Sequence, residues 1–220
     1  ALVGAVLAPI ASARLVAIGG LLAALLPLAL FGYFFLAIAD VGTAPIVESV
    51  AWVPSLGIDL VWRLDGFSLL FALLITGIGT GVTLYAATYF DKKTPFARGL
   101  FILYIQLFMV AMLATVLADN LLVLFVFWEL TSLLSFLLVG FDSTNPVARR
   151  AAMQSLLVTV AGGLALFAGI LLIGITAGTF SLSALLADST ALTESPLLPV
   201  IVGLVLLGAF TKSAQAPFHF

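Results

Sequence analysis

Runs of apolar residues alternate with short polar breaks along the whole chain. Most runs hold about 20 residues, which is long enough to cross a hydrocarbon core about 30 Å thick. The six long runs are 15–39, 66–90, 99–117, 121–140, 151–177 and 196–220. A shorter run at 1–11 has the length of a truncated helix. The pattern therefore predicts an all-α membrane protein with about seven transmembrane helices, of which the first is truncated.

Three polar or irregular segments refine this picture. In the long break at 40–65, the alternation of Ile58, Leu60 and Trp62 predicts a strand within a small hairpin. Asn120 precedes the fourth long run, 121–140, and is a typical helix N-cap. Pro217 lacks a backbone N–H and clashes with the preceding turn, so we expect the last helix to break near it, between residues 214 and 218.

The short segment 179–189 has a different character from the long apolar runs. Leu182, Leu185 and Leu186 fall on one face of a helix there, and the rest of the segment is mostly polar or small. An amphipathic segment of this kind is expected to lie along the membrane interface.

The composition excludes several classes of protein. Charged residues make up 8% of the chain, against about 25% in soluble domains, so the chain cannot cover a water-facing surface. Without cysteine it has no thiolate for an iron–sulfur cluster, and with His219 alone it cannot hold a bis-histidine haem. No basic stripe is present for nucleic acid. We therefore predict no cofactor and no nucleic-acid partner, and the sequence does not identify a metal site.

The ends of the chain suggest a larger whole. The sequence begins at Ala1 within an apolar run and stops at Phe220 in a segment that reads as structured. We expect residues 1–220 to form a single transmembrane domain that is the N-terminal fragment of a longer subunit.

The basic residues give an orientation. Six of the eight Lys and Arg residues fall in the first, third and fifth breaks: Arg14, Lys92, Lys93, Arg98, Arg149 and Arg150. Because cytoplasmic loops carry the excess of Lys and Arg, these breaks are predicted to face the cytoplasm. The hairpin is then extracytoplasmic, and the chain is a multi-pass protein of the cell's plasma membrane.

Two ionisable residues remain inside predicted spans, Glu129 and Lys212. Counted at 1.5 Å per residue, Glu129 lies roughly 15 Å from either end of its helix, and Lys212 lies within ~7 Å of the same depth. We expect a pair, either direct or bridged by water. Ionisable residues inside membranes usually mark ion pathways, although such a pair could also be purely structural.

The surroundings of this pair are partly polar. Thr131, Ser132, Ser135, Thr211, Ser213 and Gln215 lie on the same two spans, and Gln106, Gln154, Ser155 and Thr159 lie on others. Because lipid offers such groups no hydrogen-bond partner, we expect them to face inward, where they can hold water. His219 follows Lys212 by seven residues and is a candidate proton carrier, or else a hydrogen-bonded interfacial residue. Gly162 and Gly163 are interpreted as helix-packing sites, and 125–128 as plain membrane core.

Two segments carry a resemblance to a known family. FWELTSLLSFLL at 127–138 and GAFTKSAQAPFHF at 208–220 closely resemble signature segments of the antiporter-like membrane subunits. This superfamily includes the proton-pumping subunits of respiratory complex I and the large subunits of Mrp-type multisubunit cation/proton antiporters. The chain is most similar to the Mrp A subunit, and the resemblance covers essentially its whole length.

The resemblance implies specific roles. Glu129 and Lys212 correspond to residues central to proton translocation, and His219 to part of the proton path. The chain is then a secondary transporter subunit rather than an enzyme, and it resembles the first part of a longer antiporter-like subunit. The implied partners are other subunits of a multisubunit membrane complex, the lipid bilayer, protons and a monovalent cation, most commonly sodium.

Two alternatives stay open. One is a proton-pumping subunit of a redox complex such as complex I or a membrane hydrogenase. The other is a structural subunit that supports assembly without transport.

Overall fold

The computed structural model describes residues 18–53, 58–89 and 95–219, and its side chains from residue 22 onward except those of 88 and 95. Within these ranges the chain is mostly helical, with one two-stranded sheet. The helices are α1 (Ile18–Leu36), α2 (Ile38–Val41), α3 (Gly66–Tyr89), α4 (Pro95–Leu117), α5 (Leu121–Val139), α6 (Pro146–Ala177), α7 (Leu182–Ala187), α8 (Thr190–Thr193) and α9 (Leu198–Lys212). The strands are β1 (Ile46–Val53) and β2 (Ile58–Leu64).

The membrane-spanning character of the chain is confirmed. The five helices α1, α3, α4, α5 and α6 are long and apolar enough to cross a membrane, and α9 is a shorter apolar helix. They match six of the seven predicted spans. The truncated first span was assigned to residues 1–11, which lie outside the described residues, so the count of seven stays a prediction.

The chain divides into two compact units. Among the described residues, the first comprises 18–47, 63–89 and 95–117, and the second comprises 48–53, 58–62 and 118–219. In the first unit, α3 packs against both α1 and α4. Its core is a cluster of buried apolar side chains: Phe34, Ala37, Leu64, Leu69, Ala72, Met109 and Leu113.

A proline in α1 leaves one backbone carbonyl of the first unit without its helical hydrogen-bond donor. Pro27 lies within the helix and is fully buried. Since proline has no N–H, the carbonyl of Ala23, four residues earlier, loses its normal helical donor. Gln106 of α4, which is 1% exposed, donates from Nε2 to that carbonyl at 3.3 Å and to Thr83 Oγ1 at 3.2 Å. The predicted inward position of Gln106 thus has a specific cause.

Gln106→Leu should destabilise the protein by about 1–3 kcal/mol, because a buried carbonyl is left without a donor. Pro27→Ala restores the N–H, so Gln106→Leu should cost clearly less in the Pro27→Ala background. The measurement is the folded fraction of detergent-purified protein after graded heating. An equal cost in both backgrounds would contradict the assigned role of Gln106.

The start of α3 is capped by Asp65. Its Oδ1 accepts from the N–H groups of Phe67 and Ser68 at 3.1 and 3.0 Å, and Ser68 Oγ accepts from the Asp65 N–H at 2.8 Å. Arg63 Nε lies 3.3 Å from Asp65 Oδ2. The Ser68 N–H bond first, and then the Ser68 hydroxyl and Arg63, lower the pKa of the Asp65 carboxyl despite its partial burial.

Asp65→Ala should reduce stability by about 1 kcal/mol near neutral pH, because two N–H groups of the first turn lose their acceptor. The folded-state pKa is depressed, so the contribution of the charged cap is complete above the unfolded pKa of about 3.9 and is lost as pH falls through the folded value. Heating series of wild type, Asp65→Ala and Asp65→Asn across pH 3–7 test this. Asn keeps a neutral cap, so its deficit against wild type should shrink with acidification, and a deficit independent of pH would be contrary evidence.

The predicted strand and hairpin are confirmed. β1 and β2 form a two-stranded sheet, and the connecting residues 54–57 lie outside the described part of the chain. So short a connection joins antiparallel strands. In the second unit, the Asp119 N–H donates to Val61 O of β2 at 2.9 Å, which places the start of α5 beside the sheet.

Asp119 also binds the segment before α7. Its buried carboxylate accepts from Ser183 N at 3.0 Å, Ser183 Oγ at 2.8 Å and Ser181 Oγ at 2.9 Å. The Leu182 N–H donates to Asp119 O at 2.6 Å. Asp119 therefore joins β2, the start of α5 and the start of α7, a structural role in which each of its oxygens accepts at least one hydrogen bond.

The helix α7 follows the predicted amphipathic pattern only in part. Leu182 and Leu185 pack into the apolar cluster of the second unit. Leu186 is 79% exposed, so it does not share their buried face.

The helix α6 packs against both α5 and α9 and is the centre of the second unit. The predicted N-cap of α5 is confirmed, since Asn120 Oδ1 accepts from Leu122 N at 2.9 Å. The start of α6 was placed too late, at residue 151. Asn145 caps this helix through Val147 N at 2.9 Å, and Pro146 occupies its first turn, so Arg149 and Arg150 are helical. Asn followed by Pro is typical of a helix start, but the charges of Arg149 and Arg150 favoured a loop in the sequence prediction.

The predicted break of the last helix is confirmed and lies just before Pro217. The helix α9 ends at Lys212. Ala214 has φ +50°, and the Gln215 N–H donates to Phe210 O at 3.0 Å, a closure typical of helix ends with a left-handed residue. Lys212 thus occupies the last turn of α9, where the C-terminal carbonyls favour a cation.

Candidate functional site

The centre of the site is the ammonium of Lys212, which α9 directs onto one turn of α5. Its Nζ donates to Thr131 Oγ1 at 2.7 Å, Ser132 Oγ at 2.7 Å and Trp128 O at 3.3 Å. An ammonium has three donors, and this turn supplies three acceptors. We call Trp128, Thr131 and Ser132 the lysine cradle.

The chemistry of the cradle suits a cation. Thr131 Oγ1 donates to Trp128 O at 2.7 Å, so the lone pairs of this hydroxyl are free to accept from Lys212. Lys212 Nζ also lies 5.4 Å from the centre of the Trp128 ring, within cation–π range. Thr131 and Ser132 are buried at 5% and 3% exposure, so these contacts are shielded from solvent.

Two residues of the cradle differ from their sequence interpretation. The segment 125–128 was interpreted as plain membrane core, which is wrong for Trp128, because both its ring and its carbonyl contact Lys212. Thr131 was recognised as a polar neighbour but not as a lysine partner. The spacing of Thr131 and Ser132 one turn after Trp128 was the available signal.

Glu129 lies on the same turn of α5 but faces α6. In the described part of the chain its carboxylate and Lys212 form no ion pair within 4.0 Å. Glu129 Oε1 is buried and has no hydrogen-bond partner among the described residues. The structure therefore brings Lys212 to the turn that carries Glu129, as the depth estimate predicted, and leaves the two charged groups apart.

Two adjacent glycines of α6 each contact a side chain from a neighbouring helix, one from α9 and the other from α5. A Cβ placed on Gly162 would meet Thr211 of α9, with Thr211 Cβ at 2.6 Å. A Cβ placed on Gly163 would meet Glu129 of α5, with its Cδ at 2.7 Å. The interpretation of Gly162 as a helix-packing site is confirmed, and Gly163 has a different neighbour, the carboxyl group itself.

The other predicted polar residues divide into two sets. Thr211 is buried beside Gly162 and donates to Gly208 O at 2.9 Å, and Ser135 is half-buried on α5. Ser213, Gln215 and Gln154 are exposed in this chain, so the expectation that they face inward is not met. Gln106 belongs to the first unit and is described above.

His219 lies beyond the break of α9 and is exposed. No hydrogen bond to it is found among residues 18–53, 58–89 and 95–219. Among these residues, His219 therefore makes no hydrogen bond to the lysine cradle, and its role stays a prediction. These same ranges contain no group of three or more His, Cys, Asp or Glu side chains that could hold a metal ion.

Two family models match the chain. Residues 118–220 match the family described as NADH:quinone oxidoreductase/Mrp antiporter, transmembrane. Residues 51–98 match the N-terminus of chain 5 of NADH-ubiquinone oxidoreductase, complex I. The first match contains the lysine cradle, Glu129, Lys212 and the glycine pair.

Individual proteins are similar over most of the chain. The A subunit of the Na(+)/H(+) antiporter of Alkalihalophilus pseudofirmus is 50% identical over 88% of this chain and 24% of its own length. The A/B subunit of a probable K(+)/H(+) antiporter of Rhizobium meliloti is 48% identical over 78% of this chain and 17% of its own. In the structure of the Mrp complex from a Dietzia species, a chain 36% identical superimposes with a TM-score of 0.85, covering 98% of this chain and 23% of that one.

The chain belongs to the antiporter-like membrane subunits shared by NADH:quinone oxidoreductases and Mrp antiporters, and within them it is similar to the large A-type subunits of Mrp antiporters. It is a multi-pass membrane protein. The chain spans about a quarter of the length of the first of these relatives.

Removal of the cradle hydroxyls tests whether they hold the ammonium. Thr131→Val with Ser132→Ala should lower stability by roughly 1.5–3 kcal/mol per lost bond, since each bond is made to a charged group. In a Lys212→Met background the same two changes should cost much less. Heat-induced loss of folded protein, followed in detergent, provides the comparison.

Ser213→Ala is the control for this experiment, since the Ser213 hydroxyl is exposed and bonds to Ala209 O of its own helix. It should leave stability nearly unchanged. Equal losses with and without the Lys212 ammonium would show that the hydroxyls do not hold it.

Proposed function

We propose that this chain is part of a proton-translocating subunit of a multisubunit sodium/proton antiporter in the plasma membrane, with Glu129 and Lys212 carrying out proton transfer. The names of its relatives support antiport, because those relatives are similar over most of this chain. The chain is therefore a transporter subunit, its partners are the other subunits of such a complex, and its ions are protons and a monovalent cation.

One observation carries the mechanism. Lys212 binds the turn of α5 that contains Glu129, yet its ammonium and the Glu129 carboxylate form no ion pair. The ammonium is bound by three neutral acceptors, while Glu129 Oε1 has no partner in the described chain. The lysine side chain is long and flexible, so it has two binding positions within reach, the cradle and the carboxylate. A conformational change between these positions is the proposed switch.

The switch works through elementary electrostatics. An ammonium beside Glu129 stabilises its charged form and promotes release of a proton. Return of the ammonium to Thr131 and Ser132 withdraws that stabilisation and promotes uptake. Glu129 then loads and releases protons in step with the movement of Lys212.

The magnitude is sufficient for coupling. Two unit charges 4 Å apart interact by about 4 kcal/mol at an effective dielectric constant near 20. Movement of one charge through a potential of 100 mV involves about 2.3 kcal/mol. Pairing and separation of Lys212 and Glu129 therefore change energies by as much as the ion gradients supply.

The remaining steps follow the family resemblance. His219, exposed beyond the break of α9, is proposed as the next proton carrier. It follows Ala214 in the chain, after the end of the helix, and in transporters backbone groups released at such a break can hold ions or water. Sodium is the proposed cation, and the K(+)/H(+) name of one relative makes potassium the alternative to measure.

A second candidate is a proton-pumping subunit of a redox complex. It is favoured by the family description, which names NADH:quinone oxidoreductase beside the Mrp antiporter. The same pair of residues would serve it. Copurification of iron–sulfur or quinone-binding subunits would favour this candidate, and proton movement driven by a cation gradient alone would favour antiport.

Glu129→Gln in the complete complex tests the proposal. Everted vesicles are given a pulse of sodium or potassium, and proton movement is followed with a pH-sensitive dye. Gln keeps the size of Glu but cannot release a proton, so cation-induced proton movement should be lost. Glu194→Gln is the matched control, because Glu194 is exposed and lies at the end of α8, and it should transport normally.

Assembly is checked on a native gel for each variant. Lost proton movement with a normal complex supports Glu129 as a proton carrier. Normal movement in Glu129→Gln overturns the mechanism, and loss of the complex together with transport would indicate a structural subunit instead.

A further inference from the structure

The carboxyl group of Glu129 rests on a gap in the surface of α6. A Cβ built on Gly163 has three nearest neighbours, and all three are carboxyl atoms of Glu129: Oε1, then Cδ at 2.7 Å and Oε2 at 3.2 Å. Only glycine leaves this space open. Gly163 is itself buried, so the carboxyl is enclosed between α5 and α6 on this side.

The neighbouring glycines serve a different purpose. Beside Gly162 the nearest atoms include Cβ and Cγ2 of Thr211, and beside Gly208 they include Leu166 Cβ at 2.6 Å and the Gly162 backbone oxygen at 3.0 Å. These are rigid atoms near the main chain. A methyl group at either position would push α6 and α9 apart.

At Gly163 the obstacle is the far end of a flexible side chain. A methyl group there displaces the Glu129 carboxyl rather than a helix. The three atoms nearest to that methyl group all belong to Glu129, so the lack of a side chain at Gly163 acts first on this carboxyl.

We infer that Gly163 is a positioning residue for proton transfer, which holds the Glu129 carboxyl on the α6 side, away from Lys212. This inference rests on the proposed function of Glu129. While Lys212 is bound to Thr131 and Ser132, the carboxyl occupies the space at Gly163, so the two groups have separate places. Without that space the separated arrangement of the switch is lost.

Gly163→Ala in the complete complex is the direct test. The initial rate of cation-induced proton movement should fall by at least about tenfold, in the range expected when a reacting group is displaced by an ångström or so. Gly203→Ala is the matched control. It makes the same change in α9, where a Cβ would meet nothing within 4 Å, and its rate should equal that of wild type.

A compensating change separates positioning from general packing. Asp is one methylene shorter than Glu, so its carboxyl can stop short of a methyl group at position 163. Glu129→Asp combined with Gly163→Ala should therefore transport several-fold faster than Gly163→Ala alone. A packing defect in α6 would not respond to the length of the side chain at 129.

Each result decides the inference. A wild-type rate in Gly163→Ala overturns it, as does a reduced rate that Glu129→Asp fails to improve. If Gly163→Ala does not assemble on a native gel, Glu129→Ala added to it should restore assembly by removing the clash, and failure to do so overturns the inference. Full transport by Glu129→Gln would instead refute the proposed function, independently of Gly163.

Discussion

Hydrocarbon offers no hydrogen-bond partner, and the polar contacts within both units follow from that constraint. A helix satisfies its own backbone except where a proline interrupts it or where it ends. At Pro27 the freed carbonyl of Ala23 is satisfied by Gln106. At the end of α9 the Lys212 ammonium is satisfied by two hydroxyls and a carbonyl of α5. Among the described residues, Gln106 Oε1, Trp128 Nε1 and Glu129 Oε1 are buried without a hydrogen-bond partner. Of these three side chains only that of Glu129 carries an acid that can gain and lose a proton, and this points to function.

Much of the fold could be predicted from the sequence because its signals are local. The length of the apolar runs predicted the spans, and the alternation of Ile58, Leu60 and Trp62 predicted the strand. Asn120 indicated a helix start, and Pro217 indicated a helix break. The prediction was wrong where two local signals competed. Arg149 and Arg150 were assigned to a loop because they are charged, although Asn145 and Pro146 already begin the helix. A charged residue near a membrane surface is compatible with either state, so capping chemistry was the better indicator.

For the candidate site, the sequence predicted the depth of Glu129 and Lys212 in the membrane but not the neighbours that their side chains face. Residue counting placed Glu129 and Lys212 at similar levels, and the contacts of Lys212 with the turn around Glu129 agree with this. Counting gives the position along a helix axis, whereas the neighbours of a side chain depend on how the helices are rotated and packed. That is why Trp128 was taken for core, and why the glutamate was not expected to face a glycine. These assignments required tertiary contacts.

Because Lys212 is the last residue of α9, the site depends on the length of this helix. Each residue of a helix turns the next by about 100°, so the direction of the ammonium depends on the register of α9 as much as on the lysine itself. A one-residue insertion or deletion between Leu198 and Lys212 would rotate the charge away from α5 without altering any side chain that it touches. The length of this helix is therefore part of the site, and α9 should tolerate substitutions on its exposed face far better than changes in length.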